Sequence, residues 1–197
     1  MALGISETTR NARADAVLAQ IDGGTVAGKI KIYSAARPAT GGSASPTAWA
    51  ASTAYSVGDT AQPTTANGYY YRCTVAGTSG STEPTWPTTS GTVADGGVTW
   101  EFVGEVPVLL ATLTLNDPAA PAASGGVLTF DATNVEGTAV ADGTAAWARI
   151  TDSADTFVMD ADVGVSGSGA EVIVSTTTIV TNGQVTLQSA TLTEGGA

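Results

Sequence analysis

Four carboxylates crowd one stretch of this chain: Asp152, Asp155, Asp160 and Asp162. A pair of carboxyl groups across a cleft can hydrolyse a glycosidic bond, and carboxylate oxygens are also the ligands that calcium takes. The spacing argues for a plainer use. Asp160 and Asp162 alternate with apolar residues and so fall on the solvent face of a strand, while Asp152 and Asp155 suit a turn. Calcium at the Asp152–Asp162 group stays as the alternative. The rest of the reactive inventory is sparse. There is no histidine, which removes Ser-His-Asp and Cys-His catalysis and His-containing zinc sites. Cys73 therefore has no histidine to activate it and reads as a small buried hydrophobe. No Gly-x-x-x-x-Gly-Lys loop supports nucleotide binding. These residues predict a protein that is not an enzyme, with no catalytic residue, no cofactor and no assigned metal ligand.

Aromatic rings are the other candidate chemistry. From about Pro46 to Gly104 the chain carries Trp49, Tyr55, Tyr69, Tyr70, Tyr71, Trp86 and Trp100, that is three of its four Trp and four of its five Tyr. Flat sugar faces stack on exposed rings of this kind. Trp86, between Pro84 and Pro87 on a loop, is expected to be the most exposed, with Tyr69 and Tyr70 the next candidates for glycan contact. The plainer use is a core made of Trp49, Tyr55, Tyr71 and Trp100.

The elements around these groups follow from composition and period. Thr, Gly, Ala and Val dominate and only 13% of residues are charged, which favours short strands joined by turns. Ser6 with Glu7 opens a helix that runs to about Gln20 and stops at Gly23-Gly24, with Ile5, Ala12, Ala16, Val17 and Ala19 as its apolar stripe. Lys29–Tyr33 alternates as a half-buried strand. Beyond the aromatic tract come strands at Val108–Leu115, Val127–Ala132, Gly143–Thr151, Phe157–Val163, Glu171–Val180 and Gln184–Thr193, the last two joined at Asn182-Gly183. Leu109, Ala111, Leu113 and Leu115 are expected on one face, and Phe157, Met159, Ala161 and Val163 inward. The aromatic tract reads as three further strands, Ala54–Thr60, Tyr69–Val75 and Val98–Val103. The fold expected is all-β: a β-sandwich or jelly-roll domain of residues 1–45 plus 105–197 with one N-terminal helix, and an inserted small β module of residues 46–104.

Charge narrows the partners. The net charge is −11, and five of the seven basic residues (Arg10, Arg13, Lys29, Lys31 and Arg37) precede position 40. So acidic a remainder repels phosphate backbones, so no nucleic-acid partner is expected. No apolar run is long enough for a transmembrane helix, and Met1–Ser6 lacks the pattern of a signal peptide. A single Cys fits folding in a reducing cytosol.

The outer segments resemble the head-decoration, or cement, proteins of tailed bacteriophages. The stretches that carry this are Thr9–Arg13, Lys31–Gly41, Leu113–Phe130, Gly143–Arg149, Asp160–Gly164 and Leu192–Gly195. In that layout the stretch after Arg37-Pro38 runs straight into the Leu109–Leu115 strand, and this chain departs from it by carrying the aromatic tract there. The resemblance implies a structural protein on the outer capsid surface of a virion assembled in the host cytoplasm. Its partners would be the major capsid protein and copies of itself, as a dimer or trimer, with Arg10 and Arg13 as capsid contacts. Within the tract, Ala48-Trp49, Ala54–Asp59, Tyr69–Cys73 and Glu83–Trp86 resemble the small chitin- and cellulose-binding modules of secreted glycoside hydrolases. That likeness implies host surface polysaccharide as a partner, with Trp86, Tyr69 and Tyr70 in contact. A phage tail or baseplate protein and a carbohydrate-binding module without a virion role are the other readings.

Overall fold

The computed structural model describes residues 4–39 and 41–195. Met1–Leu3 of the expected start and Thr40 of the Arg37–Gly42 turn lie outside the described residues. By its internal contacts the chain divides into two compact units. One comprises residues 1–34, 39–41 and 108–197, the other residues 35–38 and 42–107. The second unit is the aromatic tract together with most of its flanking turns.

The first unit opens with α1 (Glu7–Ile21). Ser6 caps it, its side chain accepting the Thr9 N–H, with Glu7 in the first turn. The buried stripe differs from the expected one. Ala14 and Ile21 are buried and Val17 and Leu18 half-buried, whereas Ala12, Ala16 and Ala19 are exposed. Positions 14, 17, 18 and 21 follow the i, i+3, i+4, i+7 rule with larger side chains, so they bury more apolar area than the alanine set would. Next comes β1 (Lys29–Tyr33).

The second unit holds β2 (Thr47–Ala48), β3 (Ala54–Tyr55), β4 (Thr60–Gln62), β5 (Tyr69–Val75), β6 (Gly77–Thr78), β7 (Thr92–Asp95) and β8 (Val98–Glu105). Its main sheet runs β2-β4-β5-β8-β7, and β3 pairs with β6. The single strand expected over Ala54–Thr60 is two, because Gly58 at φ +97° turns the chain between them. Likewise Gly77-Thr78, expected in a turn, pairs with Ala54-Tyr55.

The first unit resumes with β9 (Leu109–Thr114), β10 (Val127–Thr129), β11 (Glu136–Thr138), β12 (Gly143–Thr144), β13 (Trp147–Thr151), β14 (Phe157–Gly164), β15 (Val172–Val174), β16 (Thr178–Ile179) and β17 (Gln184–Thr193). An eight-stranded sheet runs β10-β17-β15-β14-β13-β1-β9, with β11 also on β17. It curls: Val140 N–H donates to Leu110 O at 2.8 Å, and a Cβ on Gly137 would collide with the Thr112 carbonyl, so only glycine lets β11 lie so near β9. The fold is all-β and sandwich-like, with one N-terminal helix. Ile30, Ile32, Leu113, Leu128, Ile150, Val174 and Leu187 fill its core; each such side chain contributes about 1.5–3 kcal/mol by burial.

Two bulges move side chains to faces the alternation did not predict. Ile32 is opposite Ala111 but Tyr33 is opposite Leu109, so Leu110 is the extra residue and is buried in place of Leu109. Ile150 is opposite Met159 but Thr151 is opposite Phe157. Val158 is therefore the extra residue and packs on the core, and Phe157 turns to the opposite face. At Asn182-Gly183 the chain does turn, with Gly183 N–H bonded to Val180 O, but β16 pairs with β12 rather than β17. The antiparallel pairing expected across this turn is made further back, by β15 with β17 (Val172↔Ala190, Val174↔Leu187), so the connection is a long one rather than a tight hairpin.

Candidate functional site

The four carboxylates of the Asp152–Asp162 group separate in the fold. Asp152 accepts N–H bonds from Ala154 (2.9 Å) and Thr156 (2.8 Å), an Asx-type turn. The Thr156 N–H first, with a smaller contribution from Ala154, holds its carboxyl below the usual range despite some desolvation. Asp155 bridges Lys29 (2.9 Å) and Lys31 (3.0 Å), whose ammonium groups hold its carboxyl low as well. Asp162 is exposed. Asp160, expected in solvent, is buried instead, its side chain 2% exposed. Arg149 Nε and Nη2 donate to its two oxygens at 2.8 and 3.0 Å. The same guanidinium lies over the rings of Trp147 (5.4 Å) and Phe157 (5.0 Å), and Trp147 stacks on Tyr33 with centroids 4.5 Å apart. Strand register causes this, because Arg149 is directly opposite Asp160. Among the described residues no three His, Cys, Asp or Glu side chains are grouped to hold a metal ion.

Arg10 and Arg13 sit on α1, and both engage their own unit. Arg10 is half-buried over Gly126, where a Cβ would come within 3.2 Å of its guanidinium. Arg13 pairs with Glu194 at 3.2 Å and keeps about half its side chain exposed. Between them runs a polar stripe that fastens the helix down. Asn11 accepts the Gly126 N–H (2.7 Å), Asp15 the Ala123 N–H (2.7 Å), Glu7 the Gly125 N–H (3.1 Å) and Asp22 the Ala119 N–H (3.1 Å). Glu7, Asn11 and Asp15 are four residues apart and so stand one above the other on the helix. The Pro/Ala/Gly-rich loop after β9, which has few ladder partners of its own, finds its acceptors there.

In the aromatic unit the carboxylate of Asp95, 3% exposed, is the hub. Its Oδ2 accepts the indole N–H of Trp49 (2.7 Å) and of Trp100 (3.0 Å), and its Oδ1 accepts the Gly80 N–H (2.7 Å). The β7–β8 turn at Gly96-Gly97 aims it inward. Rings then touch in series: Tyr69 on Phe102 (5.3 Å), Phe102 on Tyr71 (6.0 Å), Tyr71 on Trp86 (4.3 Å), Trp86 on Trp100 (5.8 Å) and Trp100 on Tyr55 (4.7 Å).

Trp86 is thus not the free loop ring its Pro-flanked position suggests. It is half-buried against Tyr71, and its Nε1–H donates to Glu83 at 2.9 Å. Tyr69 is half-buried, while Tyr70 is only 2% exposed and offers no open face. Trp49, Tyr71 and Trp100 are core. Cys73 is buried with them, and burial, with Asp59 adding to it, pushes its thiol pKa up against a smaller opposing effect from the Val75 backbone. That removes it further from nucleophilic use.

Two features of these sites carry no distinctive local signal. The four-residue spacing of Glu7, Asn11 and Asp15 was visible, but a solvated helix face has the same look. Asp95 stands in an Asp-Gly-Gly turn signal, and nothing local marks it as a partner for two distant indoles. No protein-family model, no curated protein and no solved structure matches the chain. No helix among the described residues is long and apolar enough to cross a membrane.

Proposed function

We propose that this chain is a structural virion protein that decorates and stabilises the outside of a tailed-phage capsid, and that its aromatic unit contacts glycans weakly. The observation that carries the first part concerns the segments resembling decoration proteins. Residues 35–38 apart, they fall in one unit: Lys31–Tyr33 in β1 lies between β9 and β13, Asp160–Gly164 lies in β14 beside β13, and Thr9–Arg13 lies on the helix latched to the 119–126 loop. A rigid β unit whose buried carboxylate is already engaged by an arginine suits a bridging role better than turnover. Stabilisation would come from modest interfaces repeated around a shell. Of the two helix arginines, Arg13 is the better capsid contact because Arg10 is committed to packing.

The second part rests on two half-exposed rings, Tyr69 at one end of the ring series and Trp86 within it. Single contacts of this kind bind weakly, and many copies on one particle would raise avidity by about a hundredfold or more.

The test is occupancy. Capsids lacking the protein are mixed with wild type and with Arg13→Glu, and bound protein is quantified and imaged. Saturable wild-type binding on the outer surface, reduced for Arg13→Glu, is the expected result. Absence of wild-type binding to capsids would overturn the decoration reading, and binding to isolated tails instead would favour the tail or baseplate reading.

A further inference from the structure

The eight-stranded sheet has a gap in it. Strand β15 covers only Val172–Val174, while its neighbours β14 and β17 span Phe157–Gly164 and Gln184–Thr193. Pairing of β14 with β15 stops at Val163↔Val172, and pairing of β17 with β15 stops at Ala190↔Val172. Before Glu171 the chain turns aside through Gly167 and Gly169, both at φ +84°. Where β15 would continue there is instead a cleft of about 330 Å³, lined by Met159, Asp160, Glu171, Thr191, Leu192 and Thr193 among others. It reaches roughly three residues back along both walls, about 10 Å of extended chain.

Register dictates which backbone groups look into it. On β14, Val163 N–H bonds back to Ala146, so Ala161 and Met159 face β13, and Asp160 and Asp162 face the gap. The Asp162 N–H confirms the alternation by donating across to Glu171 Oε2 at 3.0 Å. On β17, Ala190 O accepts from Phe130 and Glu194 N–H donates to Gly126, so the even positions face β10. Thr191 and Thr193 therefore face the gap, and Thr191 N–H is taken by Glu171 O. The N–H and C=O of Asp160 and of Thr193 remain on opposite walls, and no ladder joins β14 to β17. Such paired open edges are a template for one more strand.

The rim chooses the strand's charge. Asp162 and Glu171 are both exposed, and neither belongs to an ion pair among the described residues. The surrounding chain is strongly acidic at −11. We propose that the gap between β14 and β17 receives an extended, lysine- or arginine-bearing segment of a partner protein as an added strand. Main-chain bonds to Asp160 and Thr193 hold it, and its basic side chains meet Asp162 and Glu171. The inference stands apart from the capsid reading, because it concerns the shape and charge of one site on the first unit.

The experiment uses the intact protein, a short synthetic peptide alternating lysine with valine, and its glutamate counterpart. Amide exchange is followed by NMR. The lysine peptide is expected to slow exchange at Asp160 and Thr193 by about tenfold or more at saturation, with affinity falling as salt rises. The glutamate peptide is expected to leave both amides unchanged. Thr193→Pro removes the N–H that faces the gap but leaves the bonds of Leu192 and Glu194 to the other side, and should weaken binding about tenfold. Glu171→Gln keeps an acceptor for the Asp162 N–H while deleting the charge, and should weaken binding severalfold and flatten its salt dependence. If the lysine peptide protects neither amide, or the glutamate peptide protects them equally, the proposal is wrong. Undiminished binding by a folded Thr193→Pro protein would also overturn it, and should that variant not fold, undiminished binding by Glu171→Gln decides against it.

Discussion

Trp49 donates its indole N–H to Asp95 at 2.7 Å, and Trp100 donates to the same oxygen at 3.0 Å. One carboxylate thereby ties together the start, the middle and the end of the aromatic unit, since its other oxygen holds the Gly80 N–H. Replacing it by alanine leaves two indole donors and one backbone donor buried without acceptors. Asp95→Ala should cost about 3 kcal/mol or more of unfolding free energy, read from urea unfolding followed by Trp fluorescence. A cost below about 1 kcal/mol would mean that the three donors find other acceptors.

The helix latch predicts smaller, separable effects. Asn11→Ala and Asp15→Ala each remove one acceptor for a loop amide, Gly126 N–H and Ala123 N–H respectively. Each should lower stability by about 1 kcal/mol. Amide exchange at Gly126 should quicken in the first variant, and at Ala123 in the second.

Arg149 and Asp160 form the buried ion pair of the first unit. Asp160→Ala alone strands a guanidinium between two rings and should cost about 3–5 kcal/mol. The double replacement Arg149→Met/Asp160→Leu should recover most of that loss, because two apolar side chains need no mutual pairing. Chemical denaturation of the single and double variants measures the difference.

Acid sensitivity follows from Glu83. Burial pushes its carboxyl up, but hydrogen bonds from the Thr64 hydroxyl and N–H and from Trp86 outweigh it and hold the carboxyl below its ordinary 4.5. A folded value below the unfolded one means that its contribution is complete above about pH 4.5 and disappears as pH falls through the folded value. Urea midpoints of the aromatic unit should therefore drop below about pH 4.5, and Glu83→Gln should drop less steeply over the same range.

Trp86 has both a packing and a contact role to test. Trp86→Ala removes the ring tilted against Tyr71 at 4.3 Å and should cost about 3 kcal/mol. Trp86→Phe keeps most of the packing. Retention on insoluble chitin, cellulose and host surface polysaccharide should fall for both if the indole face is a sugar platform. Wild-type retention by a well-folded Trp86→Phe would reduce Trp86 to a core residue.

Local chemistry was legible in the sequence. Ser6 caps the helix by its own side chain, Lys29–Tyr33 alternates as a strand, and Asp152 makes its turn with residues two and four further on. The crowding of Trp and Tyr between Pro46 and Gly104 marked a second unit with its own core chemistry. These features depend on neighbours within a few positions, and short-range sterics and hydrogen bonding decide them. Tertiary structure decided the rest. The extra residues Leu110 and Val158 are defined only against a partner strand, and each shifts the buried face by one position. The alternation along β14 puts Asp160 on a solvent face, and Arg149 reaches it only across the ladder. Asn182-Gly183 turns the chain, yet the strand before it pairs with β12 instead. Trp86 sits between two prolines, and the ring of Tyr71 covers it from a strand far back in the chain. In each case burial and pairing energy came from residues distant in sequence, where no local pattern can report them.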